Sequence, residues 1–285
     1  MSEVSDVVVS ATSHRLPRFA YSALNRCNLP AVILGSCTYQ HSPTLLEIDG
    51  VAELHSELFS SIEQLPHAEE RALHFRQYMR SAFLLDHLDE AGFNPNEQRV
   101  KRGKADYLRL LRGWMFNPDG IEAAVLKRWV ESRFGLLAQS HRGVLDHRDS
   151  PNYQGYQTDY IRGLYNSNAL EAQLDVLYSY CQFELARRWP RQLHRQLFRG
   201  TNRIETYNRT SHHHDTLCPI LLNNLNSFSD DPHLCELFGD VVLEIKVPTS
   251  KILYFPELLP GVLQGEGEYL VLGGLYQALE HRGYS

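Results

Sequence analysis

Asn168-Ala169-Leu170-Glu171-Ala172-Gln173-Leu174-Asp175-Val176-Leu177-Tyr178-Ser179-Tyr180-Cys181-Gln182-Phe183-Glu184-Leu185 divides the chain into two kinds of sequence. Leu170, Leu174, Leu177, Cys181 and Leu185 recur at spacings of 4, 3, 4 and 4, the repeat of an amphipathic helix with a wide apolar face. Asn168, followed three residues later by Glu171, reads as a capping-box start. Arg187-Arg188-Trp189-Pro190 ends the helix, because proline lacks the N–H that would continue the ladder. Upstream, helical patterns dominate. Ala68 to Leu88 carries Leu73, Phe75, Phe83, Leu84 and Leu88 among charges, and Lys104 to Met115 follows. Asn117-Pro118-Asp119 starts a further helix that puts Ile121, Val125 and Trp129 on one stripe and stops at Gly135. Pro30 to Leu34 reads as a short buried segment ended by Gly35, and Gln139 to Asn166, rich in Gly, Asp and Tyr, as a long loop.

Downstream of Pro190 the period shortens. Val241, Leu243, Ile245 and Val247 alternate with Val242, Glu244 and Lys246, which is the pattern of a half-buried strand. Gln196 to Gly200, the apolar run Leu217 to Leu225, Lys251 to Phe255 and Tyr269 to Leu272 are further strand candidates. Helices followed by strands predict an α+β fold rather than a parallel α/β one. The expected organisation is a mainly helical part over 1–165 and a second part, 166–285, that ends in the strands.

Composition narrows the function. With 285 residues, 43% of them hydrophobic, the chain can bury a full core. A net charge of -6 argues against a general nucleic-acid binder, which is usually basic. No apolar run approaches the ~20 residues that cross a bilayer. Met1 to Ser13 is polar, without the basic-then-apolar layout of a secretory signal. Cys27, Cys37, Cys181, Cys218 and Cys235 are odd in number, scattered and free of any CxxC, so they read as reduced thiols of a cytoplasmic protein. His212-His213-His214-Asp215 reads as a polar loop, since adjacent residues seldom converge on one ion; no metal is expected. Arg187-Arg188 and Lys101-Arg102 read as solvated helix ends.

Three short stretches carry chemistry. Arg199-Gly200 closes a predicted strand; arginine suits forked recognition of phosphate or carboxylate, and glycine lets a ligand approach the backbone. Ser227-Phe228-Ser229 is on its own an ordinary turn with a buried ring, yet its hydroxyls can orient a neighbouring acid. Glu266-Gly267-Glu268 stands before an apolar strand. On a strand, residues i and i+2 share a face roughly 7 Å apart. Paired acids at that separation suit chemistry on a sugar C1, where positive charge develops. A solvated strand edge is the ordinary alternative.

Together, an arginine at a strand end, Ser-x-Ser on the next strand and Glu-x-Glu opening a late strand resemble the arginine–serine–glutamate class of mono-ADP-ribosyltransferases. The stretches Leu29 to Ser36, Ala172 to Cys181 and Phe255 to Gly261 resemble its branch that modifies dinitrogenase reductase, over most of the chain. The resemblance implies an antiparallel β-sandwich core of the ADP-ribosyltransferase type within 166–285, NAD as substrate, and one arginine of dinitrogenase reductase as acceptor. It implies a PII signalling protein as activator; the helical part is the expected docking region only because the stretches that carry chemistry lie later in the chain. It also implies roles. Arg199 would hold the NAD phosphates and Gly200 the nicotinamide amide, with Phe228 packed on the nicotinamide ring. Ser229 would be a further NAD-binding residue. Ser227 would position Glu268, which stabilises the cationic ribose; Glu266 would hold the incoming guanidinium and take its proton. Leu263 stands where many toxins of this class carry an aromatic, and Phe228 where threonine is common. The residues leave two rivals open: an NAD glycohydrolase using the same acids, and a binding module without turnover.

Overall fold

The computed structural model describes residues 15–87, 105–164, 169–202, 217–263 and 267–281. Helices lead: α1 (Ala31–Leu34), α2 (Cys37–His41), α3 (Val51–Leu54), α4 (Ser56–Glu63), α5 (Ala68–Ala82), α6 (Tyr107–Phe116), α7 (Ile121–Phe134), α8 (Pro151–Leu164) and α9 (Leu170–Arg188). Then come β1 (His194–Thr201), β2 (Leu217–Ser229), the short α10 (Pro232–Glu236), β3 (Val241–Pro248), β4 (Ile252–Tyr254) and β5 (Glu268–His281). The order is α+β, as expected. One apolar cluster, from Leu16 to Ala278, draws on helices and strands alike.

The α9 helix is buried further round than its leucine repeat implies. Gln173, Val176, Tyr178, Tyr180 and Glu184 are buried beside Leu174, Leu177 and Cys181, because β4 packs on one side and α3, α5 and α6 on another. Tyr180 stacks on Phe75 of α5 with ring centroids 4.1 Å apart. Gln173 Oε1 accepts the Tyr107 N–H at 3.0 Å, satisfying one of the donors that the start of α6 leaves unpaired. The capping-box reading fails: Ala169 caps α9 at φ 46°, Asn168 lies outside the described residues, and Glu171 instead accepts from Arg133 at 2.9 Å and from Tyr160 at 3.1 Å.

Gln139 to Asn166 is not a loop, since α8 occupies its second half. The composition hid it because α8 buries only Tyr156 and Asp159, so no apolar stripe marks it. Gly163 lets it lie close on α7: a Cβ there would sit 2.3 Å from Val125 Cγ2. The helix α7 ends at Gly135, whose φ of 67° is the left-handed conformation that glycine adopts without strain.

The strands pair antiparallel throughout, in the order β2-β1-β3-β5-β4, and β2 also pairs with β5. The ladder β2–β1–β3–β5–β2 therefore closes on itself. Among the described residues its weakest join is β1 to β2, matched at Phe198↔Ser229 alone. Beyond that rung the C-terminal end of β1 parts from β2, and Arg199, Gly200 and Ser227 stand in the fork. No helix among the described residues is long and apolar enough to cross a membrane. The five cysteines are free and buried.

Candidate functional site

Arg199, Ser227 and Glu268 meet at the fork. Register puts Ser229 opposite Glu268 and Ser227 opposite Leu270, so Ser227 stands two residues from the rung that holds Glu268. Arg199 reaches across from β1, its Nη1 donating to the Ser227 carbonyl at 2.8 Å. Burial pulls the Arg199 pKa down from its ordinary value, opposed by Cys235 and Glu268. Guanidinium is basic enough to stay charged regardless.

Glu268 is half-buried at the head of β5. Burial pushes its pKa up; the Ser227 hydroxyl, the Trp114 indole and the Arg199 charge all act the other way. Desolvation, the largest of these effects, is thus opposed by two hydrogen-bond donors and one cation. A cavity of ≈ 300 Å³ opens beside it, lined by Met115, Tyr254, Pro256, Glu257, Leu263 and others. Its wall is the segment after β4. The root of that segment is held from α9 by Arg188, which stacks on Phe255 at 5.1 Å and donates to the Glu257 carbonyl at 3.2 Å. Arg188 is therefore not a solvated helix end; its Nε also binds Glu184 at 2.8 Å.

The other expected residues divide. Gly200 lies next to Arg199, and a Cβ on it would sit 2.0 Å from the Cys235 carbonyl oxygen, so α10 packing alone demands glycine there. Ser229 is buried and its Oγ accepts the Asp231 N–H at 3.1 Å, which turns the chain into α10. Phe228 does not join the others. Strand alternation sets it on the opposite side from Ser227, and it is core, 3% exposed. Glu266 lies outside the described residues, as do His212 to Asp215 and Lys101-Arg102. Among the described residues here, Gly267 has φ 70° and extended backbone begins at Glu268. Among the described residues no group of three or more His, Cys, Asp or Glu is placed to hold a metal.

Sequence reasoning missed Trp114, whose Nε1 donates to Ser227 Oγ at 2.9 Å. It missed Lys127 as well, buried with its Nζ 5.8 Å from the centre of the Trp114 ring. Lys127 is held by Asp119 at 3.0 Å and by the Ser140 carbonyl at 2.9 Å. The only available signal was their place in two predicted helices.

The sequence profile described as Dinitrogenase reductase ADP-ribosyltransferase (DRAT) matches residues 24–279, a span that includes the whole fork. The chain belongs to this family. It is 36% identical over 255 residues to the NAD(+)--dinitrogen-reductase ADP-D-ribosyltransferase of Rhodospirillum rubrum, covering 88% of this chain and 92% of that protein. No solved structure matches the chain. In this DRAT-family chain the two residues that act on Glu268 through hydrogen bonds come from elements far apart in sequence, α6 and β2.

Proposed function

We propose that this protein is an enzyme that transfers ADP-ribose from NAD to one arginine of dinitrogenase reductase, releasing nicotinamide and switching nitrogenase off. The observation that carries the reading is the convergence of Arg199, Ser227 and Glu268 at the β1–β2 fork. Family membership and the name of the Rhodospirillum rubrum relative supply the substrate pair. The ring of antiparallel pairings supports a β-sandwich of the ADP-ribosyltransferase type.

The chemistry follows from the charges. Arg199 binds the NAD phosphates, and the Gly200 backbone takes the nicotinamide amide. The bond from ribose C1 to the nicotinamide nitrogen breaks with its electron pair going to nicotinamide, which leaves neutral. Glu268, held by Ser227, stabilises the positive charge left on the ribose without attacking it. An arginine nitrogen of the acceptor then bonds to C1, and Glu266 accepts the proton that nitrogen must lose, since free guanidinium is too basic to shed it unaided. NAD is consumed as substrate; no metal takes part. A PII protein is the activator, docking on the helical part, and the enzyme works in the cytoplasm.

The test is incubation of the purified protein with labelled NAD, with and without dinitrogenase reductase and PII, following nicotinamide release and label on protein. Label on an arginine of dinitrogenase reductase is the expected result. Nicotinamide release without label would replace the reading with a glycohydrolase, and no release under any condition with a binding module.

A further inference from the structure

We infer that Trp114 is a positioning residue for this reaction: its indole N–H sets the direction of the Ser227 hydroxyl proton and thereby holds the Glu268 carboxylate in place. The inference rests on the transferase reading above. The indole nitrogen can only donate a hydrogen bond, whereas a hydroxyl can both donate and accept. At 2.9 Å from Trp114 Nε1, Ser227 Oγ must therefore be the acceptor. Its own proton is left to point elsewhere, and the carboxylate on which both groups act is Glu268. Without the indole, the hydroxyl can turn its proton away and leave Glu268 with one fewer donor.

The indole is well placed to set this direction. Trp114 is 3% exposed and sits near the end of α6, whose start is capped by Asp106 (2.8 Å to the Arg109 N–H) and tied to α9 through Gln173. Lys127 lies over its ring, itself fixed by Asp119 and Ser140. The other charged or titratable groups toward Glu268 are Arg199 from β1, Tyr254 from β4 and Glu257 across the cavity. None of these sets which way the Ser227 proton points. The helical part of the chain thus supplies a working piece of the catalytic apparatus.

Trp114→Phe keeps an aromatic ring and removes the N–H. The expected result is a fall in kcat for nicotinamide release of about tenfold, the worth of one hydrogen bond. KM for NAD should stay within about twofold, since substrate contacts are untouched. The acid limb of the pH profile should move to higher pH. In a Ser227→Ala background the same change should cost clearly less, since the share carried by the hydroxyl is already gone and only the indole's own contact with Glu268 is left to lose. Unchanged kcat, or an equal loss in both backgrounds, would overturn the inference. If Trp114→Phe does not fold, benzothienylalanine at position 114 replaces the N–H by sulfur in the same shape and is held to the same outcomes. Should wild type release no nicotinamide, the transferase reading fails separately. An acid titration of tryptophan emission needs no turnover: wild type should show a transition that Glu268→Gln lacks, and identical titrations would refute the geometry itself.

Discussion

Glu184→Gln should lower the melting temperature substantially and loosen the segment beside Glu268. Glu184 is 0% exposed and faces Arg71, 3% exposed. Arg71 Nε donates to Oε1 at 2.5 Å and Nη2 to Oε2 at 3.0 Å; Arg188 Nε shares Oε2 at 2.8 Å. Removing one partner of a buried pair leaves an uncompensated charge, typically at a cost of about 3–5 kcal/mol. Arg71 Nη1 keeps the carbonyls of Leu65 at 3.0 Å and Pro66 at 2.8 Å, which favours the lower end. For a chain of this size, about 3 kcal/mol corresponds to a fall of about 6–12 °C. Scanning calorimetry of wild type and variant measures it. Arg188 also loses its anchor, so amide exchange over 255–261 should quicken while that of β3 does not. Exchanging both Arg71 and Glu184 for apolar residues of similar volume should recover most of the loss. A fall under about 2 °C for the single change would refute the reasoning, because the pair would then be solvated or redundant.

Glu268→Gln should reduce transfer on the order of 10²–10⁴-fold, the range for one electrostatic contributor. Burial raises the folded pKa of Glu268, so the folded state holds its proton more tightly than the unfolded one. The charged form therefore costs stability at neutral pH, and the variant should melt no lower than wild type; undiminished transfer or a lower melt would contradict this. Lys251 is buried, donates to the Gly273 carbonyl at 2.8 Å and lies 4.4 Å from the Tyr276 ring centre, its pKa pulled down to about 7 by burial. Between that value and the ordinary 10.5 the unfolded chain binds the extra proton, so stability rises with pH across this window. The slope is at most about 1.4 kcal/mol per pH unit, and urea midpoints of Lys251→Met should show it flattened; parallel slopes would count against the assignment. Gly163→Ala should cost about 1–3 kcal/mol in urea denaturation, since its Cβ would overlap the branched Val125 side chain rather than a flexible tip; a neutral result would mean α8 shifts freely on α7.

Much of the fold was legible because burial follows period. The alternation of Val241 to Val247 and the leucine repeat of Leu170 to Leu185 each named their element correctly. The failures have local causes. Tyr269 to Leu272 reads as a short strand, yet β5 runs on through Gly273-Gly274 to His281. Those glycines mark close crossings: a Cβ on Gly273 would sit 1.6 Å from the Asn223 carbonyl oxygen, and one on Gly274 2.8 Å from the Gly35 backbone. At the site, the resemblance named Arg199, Ser227 and Glu268, which the fold brings together. It could not reveal Trp114, whose partner is 113 residues away, since no local pattern encodes a contact at that separation. Phe228 is buried, as the ordinary reading of its stretch has it, and the two-residue period of the strand sets its ring on the other side from Ser227.

The closed ladder of strands has a mechanical consequence. A ring held by eight rungs between β1 and β3, eleven between β2 and β5, three between β3 and β5 and one between β1 and β2 yields at the last when it is strained. That seam is where Arg199 and Ser227 face each other, so a nucleotide lodged there would act as a rivet across the gap. Binding should then stiffen β1 and β2 as a pair, and departure of the ADP-ribose should release them, so that each turnover would fasten and free the ring of strands at one point.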